Sequence, residues 1–236
     1  MEEVFRMIKP DIIVSWPMHL DYPLWREFIH NNRDRFNKVM VVFTQMNAGK
    51  DYRTWLQPEF AEDNIISITN DQVSADQDWR DVAVNKGIGL TESKWIWFTE
   101  PDFFPQRGFW SVIYSFLWSY RAAGVKQDKR LHPCSLFLRR DLLDELDKNF
   151  GVVTDKLDHF GLIQQQLEDG NEKVALIDPD YWQHMNGLSQ NMYLLQIGKK
   201  PNYEPEKFKD YCQKCLQINL PIQPEIKKLM EIYVQT

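Results

Sequence analysis

Lys94-Trp-Ile-Trp-Phe-Thr-Glu-Pro-Asp-Phe-Phe104 is an aromatic and β-branched run that stops abruptly at two carboxylates. Trp95 to Thr99 carry no charge, which suits a strand buried on both faces, as in a mainly parallel sheet. Pro101 then ends the ladder, because it has no N–H to donate. Ligands of open α/β sheets collect beyond the carboxyl ends of the strands, so Glu100 and Asp102 project where a ligand can sit. One residue separates them, and in extended backbone they point to the same side. Two hard oxygen donors there can hold Mg or Mn while a substrate phosphate and water complete the shell.

Upstream, Asp11 to Trp16 is a short apolar strand ended by Pro17. A nucleotide commonly lies at the carboxyl end of such a first strand, here at Ser15 and Trp16. In the loop beyond, Tyr22 can stack on a base and Asp21 can accept from a base or ribose. Leu24 to Phe36 reads as an amphipathic helix and Lys38 to Thr44 as a second strand, giving a right-handed parallel unit. Gln45 to Tyr52 follows as a loop. Ile65 to Ile68 is a third strand, ending at Thr69-Asn70-Asp71. A helix opening near Ser74 or Asp76 carries Arg80, Asn85 and Lys86 and ends at Gly87 or Gly89. Lys86 and Arg80 are the cations best placed to approach a diphosphate.

Glu100-Pro-Asp102, preceded by Ala83 and by Asn85-Lys-Gly-Ile88, resembles the Asp-x-Asp motif and the Asn-Lys-Gly segment of GT-A fold nucleotide-sugar glycosyltransferases, of the family 2-like kind. The chain departs from that pattern in having Glu at the first motif position and Val84 where the family has Arg. Arg80, one helical turn earlier, is the candidate substitute. The resemblance implies an α/β GT-A-like fold, a nucleotide-diphosphate sugar as donor, and Mn or Mg held by Asp102 and Glu100, with His184 from the C-terminal segment. It also implies a base held from the loop after the second strand, by Gln45 or Asn47, with Asp71 near the nucleotide. Further along, His132 to Leu138 reads as a strand that runs through Arg139 into a helix, similar to the segment behind the acceptor site, where Ser135 or His132 would line it. Asp158 matches the carboxylate that removes the acceptor proton in inverting enzymes, with His159 as the runner-up base and Asp155 the choice if the loop is shifted. A carboxylate near the attacking oxygen can take that proton. Asp158 is equally a good helix N-cap.

The remaining pattern is a buried aromatic helix over Arg107 to Ala123, a basic loop from Lys126 to Arg130, a helix from Gly161 to Glu168 and a last strand from Lys173 to Ile177. His184 to Asn191 has the polar, Gly-bearing look of a loop folding over a ligand, with Ser189, Gln190 and Asn191 facing sugar or acceptor. Beyond Gly198 the chain is basic, with helices expected over Tyr211 to Leu216 and Pro224 to Tyr233. Cys212 and Cys215 have metal-like spacing but lack a second pair, and read as structural thiols.

At 236 residues, 43% of them hydrophobic and with nine Trp and fourteen Phe, the chain suits one ordered α/β domain. Residues 1–104 would form the nucleotide-sugar half, 105–198 the acceptor half and 199–236 a helical extension. A net charge of −6 provides no global positive field for nucleic acid or an anionic membrane. With no membrane-length apolar run and an acidic start, the expectation is a cytoplasmic protein. Acceptors in keeping with the resemblance run from glycans to hydroxymethylated DNA. A nucleotidyltransferase would need a Gly- and Arg-rich loop that Ser15 to Leu24 lacks, and a non-catalytic nucleotide-sugar-binding protein is the other alternative.

Overall fold

The computed structural model describes residues 8–16, 22–45, 65–69, 79–127, 130–151 and 160–235. The strands are β1 (Asp11–Trp16), β2 (Val39–Gln45), β3 (Ile65–Thr69), β4 (Trp95–Thr99), β5 (Phe103–Pro105), β6 (Ala122–Gln127), β7 (Arg130–Arg139), β8 (Val174–Ile177) and β9 (Trp182–His184). Seven of them form one sheet in the order β3-β2-β1-β4-β7-β6-β8, and β5 pairs with β9 in a small second sheet. Within the large sheet only β7 runs against its neighbours. The expected mainly parallel α/β sheet is therefore the observed one. Since β2 and β3 lie on one side of β1 and β4 on the other, the order reverses between β1 and β4, the position where such sheets bind ligands.

The helices are α1 (Pro23–Asn31), α2 (Trp79–Leu90), α3 (Phe109–Ser119), α4 (Arg140–Glu145), α5 (Gly161–Asp169), α6 (Leu188–Gln196), α7 (Pro205–Cys215) and α8 (Pro224–Gln235). Alternation along the strands sorts them into two layers. Ile12, Val14, Val39, Val41, Trp95 and Trp97 share a buried cluster with apolar residues of α1, α3, α6, α7 and α8. Ile13, Met40, Val42, Ile96 and Phe98 pack on the other face against α2, α4 and α5. Val84 is fully buried in this second layer. The position that departs from the family pattern is thus a packing position. Gly87 serves the same contact: a Cβ there would meet Val42 Cγ2 at 3.3 Å and Ile13 Cδ1 at 3.4 Å.

Four local expectations are corrected. The helix predicted to reach Ala123 stops at Ser119, and Ala122 to Gln127 form β6. Ala122, Ala123 and Val125 are completely buried between β7 and β8, so the strand has no alternation to announce it. Lys126 and Arg130 consequently belong to strands and not to a basic loop. The ligand-covering loop predicted from His184 to Asn191 is helical from Leu188, with Leu188, Met192 and Leu195 buried at helical spacing. The helix read as Tyr211 to Leu216 starts earlier, at Pro205, and buries Phe208, Tyr211, Cys212 and Cys215 in the first layer. None of the described helices is long and apolar enough to cross a membrane.

At the amino edge of the sheet, the fully buried Asp11 collects four N–H donors. Its Oδ1 accepts from Asn37 Nδ2 at 2.9 Å and Lys38 N at 3.0 Å, and its Oδ2 from Glu92 N at 2.6 Å and Ser93 N at 2.7 Å. Asp11→Ala leaves those donors without an acceptor. The expected loss is about 2–4 kcal/mol, measured as a lower urea midpoint; a change below about 0.5 kcal/mol, the size of an ordinary surface substitution, would show that the network contributes little.

Cys212 yields a pH dependence. Burial pushes its thiol up to about 12. Between pH 9 and that value the unfolded chain has released a proton that the folded chain retains, so stability falls as pH rises. The slope from this group is about 1.4 kcal/mol per pH unit. Cys212→Ala should flatten the alkaline decline by that amount in paired denaturation curves at pH 8 and 10.

Candidate functional site

The centre of the site is a turn. Phe103 N donates to Glu100 O at 3.2 Å, closing Glu100-Pro-Asp-Phe103 with Pro101 in the second position, where its fixed φ is favourable. The two carboxylates are therefore set by a tight turn and not by the extended backbone expected. Thr99, the last residue of β4, is paired across to Ser135 of β7. Because β7 is antiparallel, its earlier residues overshoot the end of β4, and His132 lies three residues beyond Ser135. His184 arrives from another direction: β9 pairs with β5 so that His184 faces Phe103, and Met185 N donates to Asp102 O at 2.9 Å.

These three backbone pieces bring Glu100, His132 and His184 together, with one potential ligand atom from each lying within 4.8 Å of the others. The imidazole centroids of His132 and His184 are 4.6 Å apart. Asp102 stands beside them, its Oδ1 3.4 Å from His184 Nε2. That oxygen is buried, and among the described residues its neighbour is the His184 imidazole. Burial alone pulls the His184 pKa down, but Asp102 and then Glu100 outweigh it, so the imidazole is drawn above its ordinary value. The donor set of carboxylates and imidazoles fits a divalent metal ion. His132 was expected only along an acceptor site; its part in this cluster depends on the antiparallel overshoot of β7, which local sequence does not encode.

The other predicted residues divide into three groups. Ser15, Trp16 and Gln45 are described as backbone at the carboxyl ends of β1 and β2, the same edge as Glu100, and Arg80 lies in the first turn of α2. Asp21, Asn47, Asp71, Asp155, Asp158 and His159 lie outside the described residues. The third group is described in full and employed elsewhere. The Tyr22 ring is completely buried in the first layer, and its hydroxyl is 2.7 Å from Ser189 Oγ, so it clamps α1 to α6 instead of offering a face to a base. Asn191 is buried as well; its Oδ1 accepts from Asn202 N and Tyr203 N. Gln190 is exposed. Ser135 is a core hydroxyl that accepts from Trp97 Nε1 at 2.8 Å. Asn85 Nδ2 donates to Asp81 Oδ1 at 3.0 Å and Lys148 O at 2.8 Å.

Lys86 is exposed one turn before the end of α2, and that end lies at the amino edge, where Leu90 O accepts from Lys38 Nζ. A crossover helix runs from the carboxyl edge back to the amino edge, which carries Lys86 away from Glu100, while Arg80 lies at its start. The basic C-terminal region forms a cleft of about 790 Å³, in which Lys199, Lys200 and Lys209 face Leu195, Leu229 and Tyr233, with Glu206 also on its wall.

No protein-family model and no curated protein matches the chain. Solved structures do. The galactosyltransferase LgtC, solved with donor and acceptor sugar analogues, aligns with a TM-score of 0.56 and 7% identity over 93% of this chain and 99% of that one. Glucosyl-3-phosphoglycerate synthase from Mycobacterium tuberculosis, solved with phosphoglyceric acid, aligns at 0.51 and 11% identity over 78% of this chain and 76% of that one. The mannosyltransferase PcManGT from Pyrobaculum calidifontis, in complex with GDP-Man and Mn2+, reaches 0.48 and 12% identity over 97% and 70%. The fold is that of GT-A glycosyltransferases.

Within the Asn-Lys-Gly segment, the hydrogen bonds of Asn85 are structural. Asp81 Oδ1 also accepts from Phe150 N at 2.8 Å, so the pair fastens α2 to the chain at 148–150. Asn85→Ala should lower the unfolding free energy by about 1–2 kcal/mol, read by urea denaturation; an unchanged midpoint would leave the segment to a ligand-binding role.

Proposed function

We propose that this chain transfers a sugar from a nucleotide-diphosphate sugar to an acceptor hydroxyl, with a divalent metal ion held by Glu100, Asp102 and His184. The observation that carries the reading is the convergence of these side chains at the carboxyl end of β4, beside the point where the strand order reverses, in a chain with the GT-A fold. A bound Mn or Mg ion would supply positive charge to the leaving diphosphate. Arg80, at the start of α2 on the same edge, adds a second cation there.

In the reaction, the acceptor oxygen forms a bond to the anomeric carbon as the bond from that carbon to the diphosphate oxygen breaks, and the nucleoside diphosphate leaves with the electron pair. The acceptor proton passes to Asp158, so one displacement inverts the anomeric configuration. His159 is the alternative base. Ser15, Trp16 and Gln45 border the nucleotide, and Asp21, Asn47 and Asp71 also contact it. The lysines of the C-terminal cleft favour an acceptor that carries phosphate, which keeps hydroxymethylated DNA beside phosphorylated glycans as substrates to try.

The test is a thermal-shift screen with UDP, GDP, CDP and TDP and their sugars, with and without Mn, followed by transfer assays with the stabilising donor. A donor present at about 100 times its Kd adds about 2.7 kcal/mol of stability. One nucleotide should stabilise the protein only with metal, Asp102→Ala should abolish the shift, and Asp158→Asn should retain it while transfer is lost. Absence of any metal-dependent nucleotide shift would overturn the proposal; full transfer by Asp158→Asn would remove that residue from the mechanism.

A further inference from the structure

His132 stands inside the cluster, and neither the motif nor its expected metal set includes it. We infer that His132 is a metal ligand, so that the centre is built from two imidazoles and a carboxylate, and that it takes a divalent transition ion in preference to Mg even without nucleotide. The inference rests on the metal site proposed above and changes its character.

A site made of carboxylates alone leaves most of the coordination shell to water and substrate phosphate, the usual situation of Mg. Here three donors come from the chain itself. Glu100 is held by the hydrogen-bonded turn after β4 and His184 by the pairing of β9 with β5, while His132 lies within β7 beyond its paired segment with β4. Ligand atoms bound about 2.1 Å from one ion are separated by about 3–4 Å, and the present separations lie within 4.8 Å. An ion would draw these donors together by about 1 Å. The two rings are tilted by 54° to one another. Beside them, the buried Oδ1 of Asp102 lies 3.4 Å from His184 Nε2. It can complete the set as an oxygen donor or orient His184 as carboxylates orient metal-bound imidazoles. Imidazole nitrogen favours Zn, Fe, Co and Ni, whereas Mg demands an oxygen octahedron and sheds water reluctantly.

The experiment uses the full chain stripped with a chelator, with Co(II) and Zn(II) as calorimetric probes, Mg as competitor, and electron spin echo spectroscopy of bound Mn(II) to count imidazole nitrogens. No nucleotide is added. The expected result is one equivalent of Co(II) or Zn(II), retained against a hundredfold excess of Mg, and nitrogen couplings from two imidazoles. His132→Ala should weaken binding at least tenfold and leave a single coupling, whereas His30→Ala, at an exposed position of α1, should change neither. Unchanged affinity in His132→Ala, or displacement of the ion by equimolar Mg, overturns the inference. Should His132→Ala fail to fold, the nitrogen count on the natural chain decides: a single imidazole rejects the assignment. Failure of the transferase reading is separately visible. A two-imidazole centre without sugar transfer overturns that reading alone, and transfer supported by a one-imidazole centre overturns this one alone.

Discussion

The Asp11 carboxylate sets the frame on which the rest of the fold depends. It holds the chain entering β2 through Asn37 and Lys38 and the chain entering β4 through Glu92 and Ser93, while being itself the first residue of β1. One side chain thus fixes where three neighbouring parallel strands begin. Hydrogen bonds to a charged acceptor are the stronger kind, and they need no second charge nearby. Arg140 extends the same lock to β7: its guanidinium donates to Ser93 O at 3.1 Å and Thr91 Oγ1 at 2.8 Å. With their starts aligned, the strands also end at defined levels, Val14 beside Thr99 and Thr99 beside Ser135. The amino edge consumes these polar groups in structure.

Between the two edges, β4 acts as a rigid support. All five of its residues are buried, and Trp97 is stacked on Phe137 at 5.1 Å between ring centroids while meeting Trp110 edge-on at 5.5 Å. Its indole N–H is taken by Ser135, which leaves no polar group of that ring unsatisfied in the core. A residue that follows such a strand inherits its position. Glu100 therefore begins its turn from a place set by close packing on both sides, the condition under which a binding constellation keeps its geometry before a ligand arrives.

The strands were legible because a strand buried on both faces writes a short apolar run, as in Ile12 to Val14 of β1, Val39 to Val42 of β2 and all of β4. The crossover order followed from those runs and the helical pattern between them. What escaped was set by tertiary pairing. β6 is too small and too uniformly buried to show a period, and β5 and β9 have three residues each, too few to carry any pattern. Helix α6 was readable from Leu188, Met192 and Leu195, but its polar, Gly-bearing start resembles a loop. Glu100, Asp102 and His184, singled out by type and order, lie close together. The roles assigned to Tyr22 and Ser189 were misread in local terms: each residue taken singly suits a ligand, yet they meet across 167 residues to satisfy one another. Long-range partners of that kind are invisible to spacing.

Charge gives the cluster its meaning. Two carboxylates and two imidazoles are gathered in partial burial, and His184 and Asp102 retain only 8% and 14% of their side-chain exposure. Like charges in such surroundings are costly unless something positive joins them. Protonation of His184 is one answer, and its raised pKa shows the carboxylates pulling in that direction. A proton supplies a single charge and occupies one nitrogen. A divalent ion, if bound as proposed, would supply two and could be shared among several donors. Glu at the head of the turn then acquires a reason. Its additional methylene extends the carboxylate beyond the reach of an Asp held on the same backbone, toward His132 on the neighbouring strand.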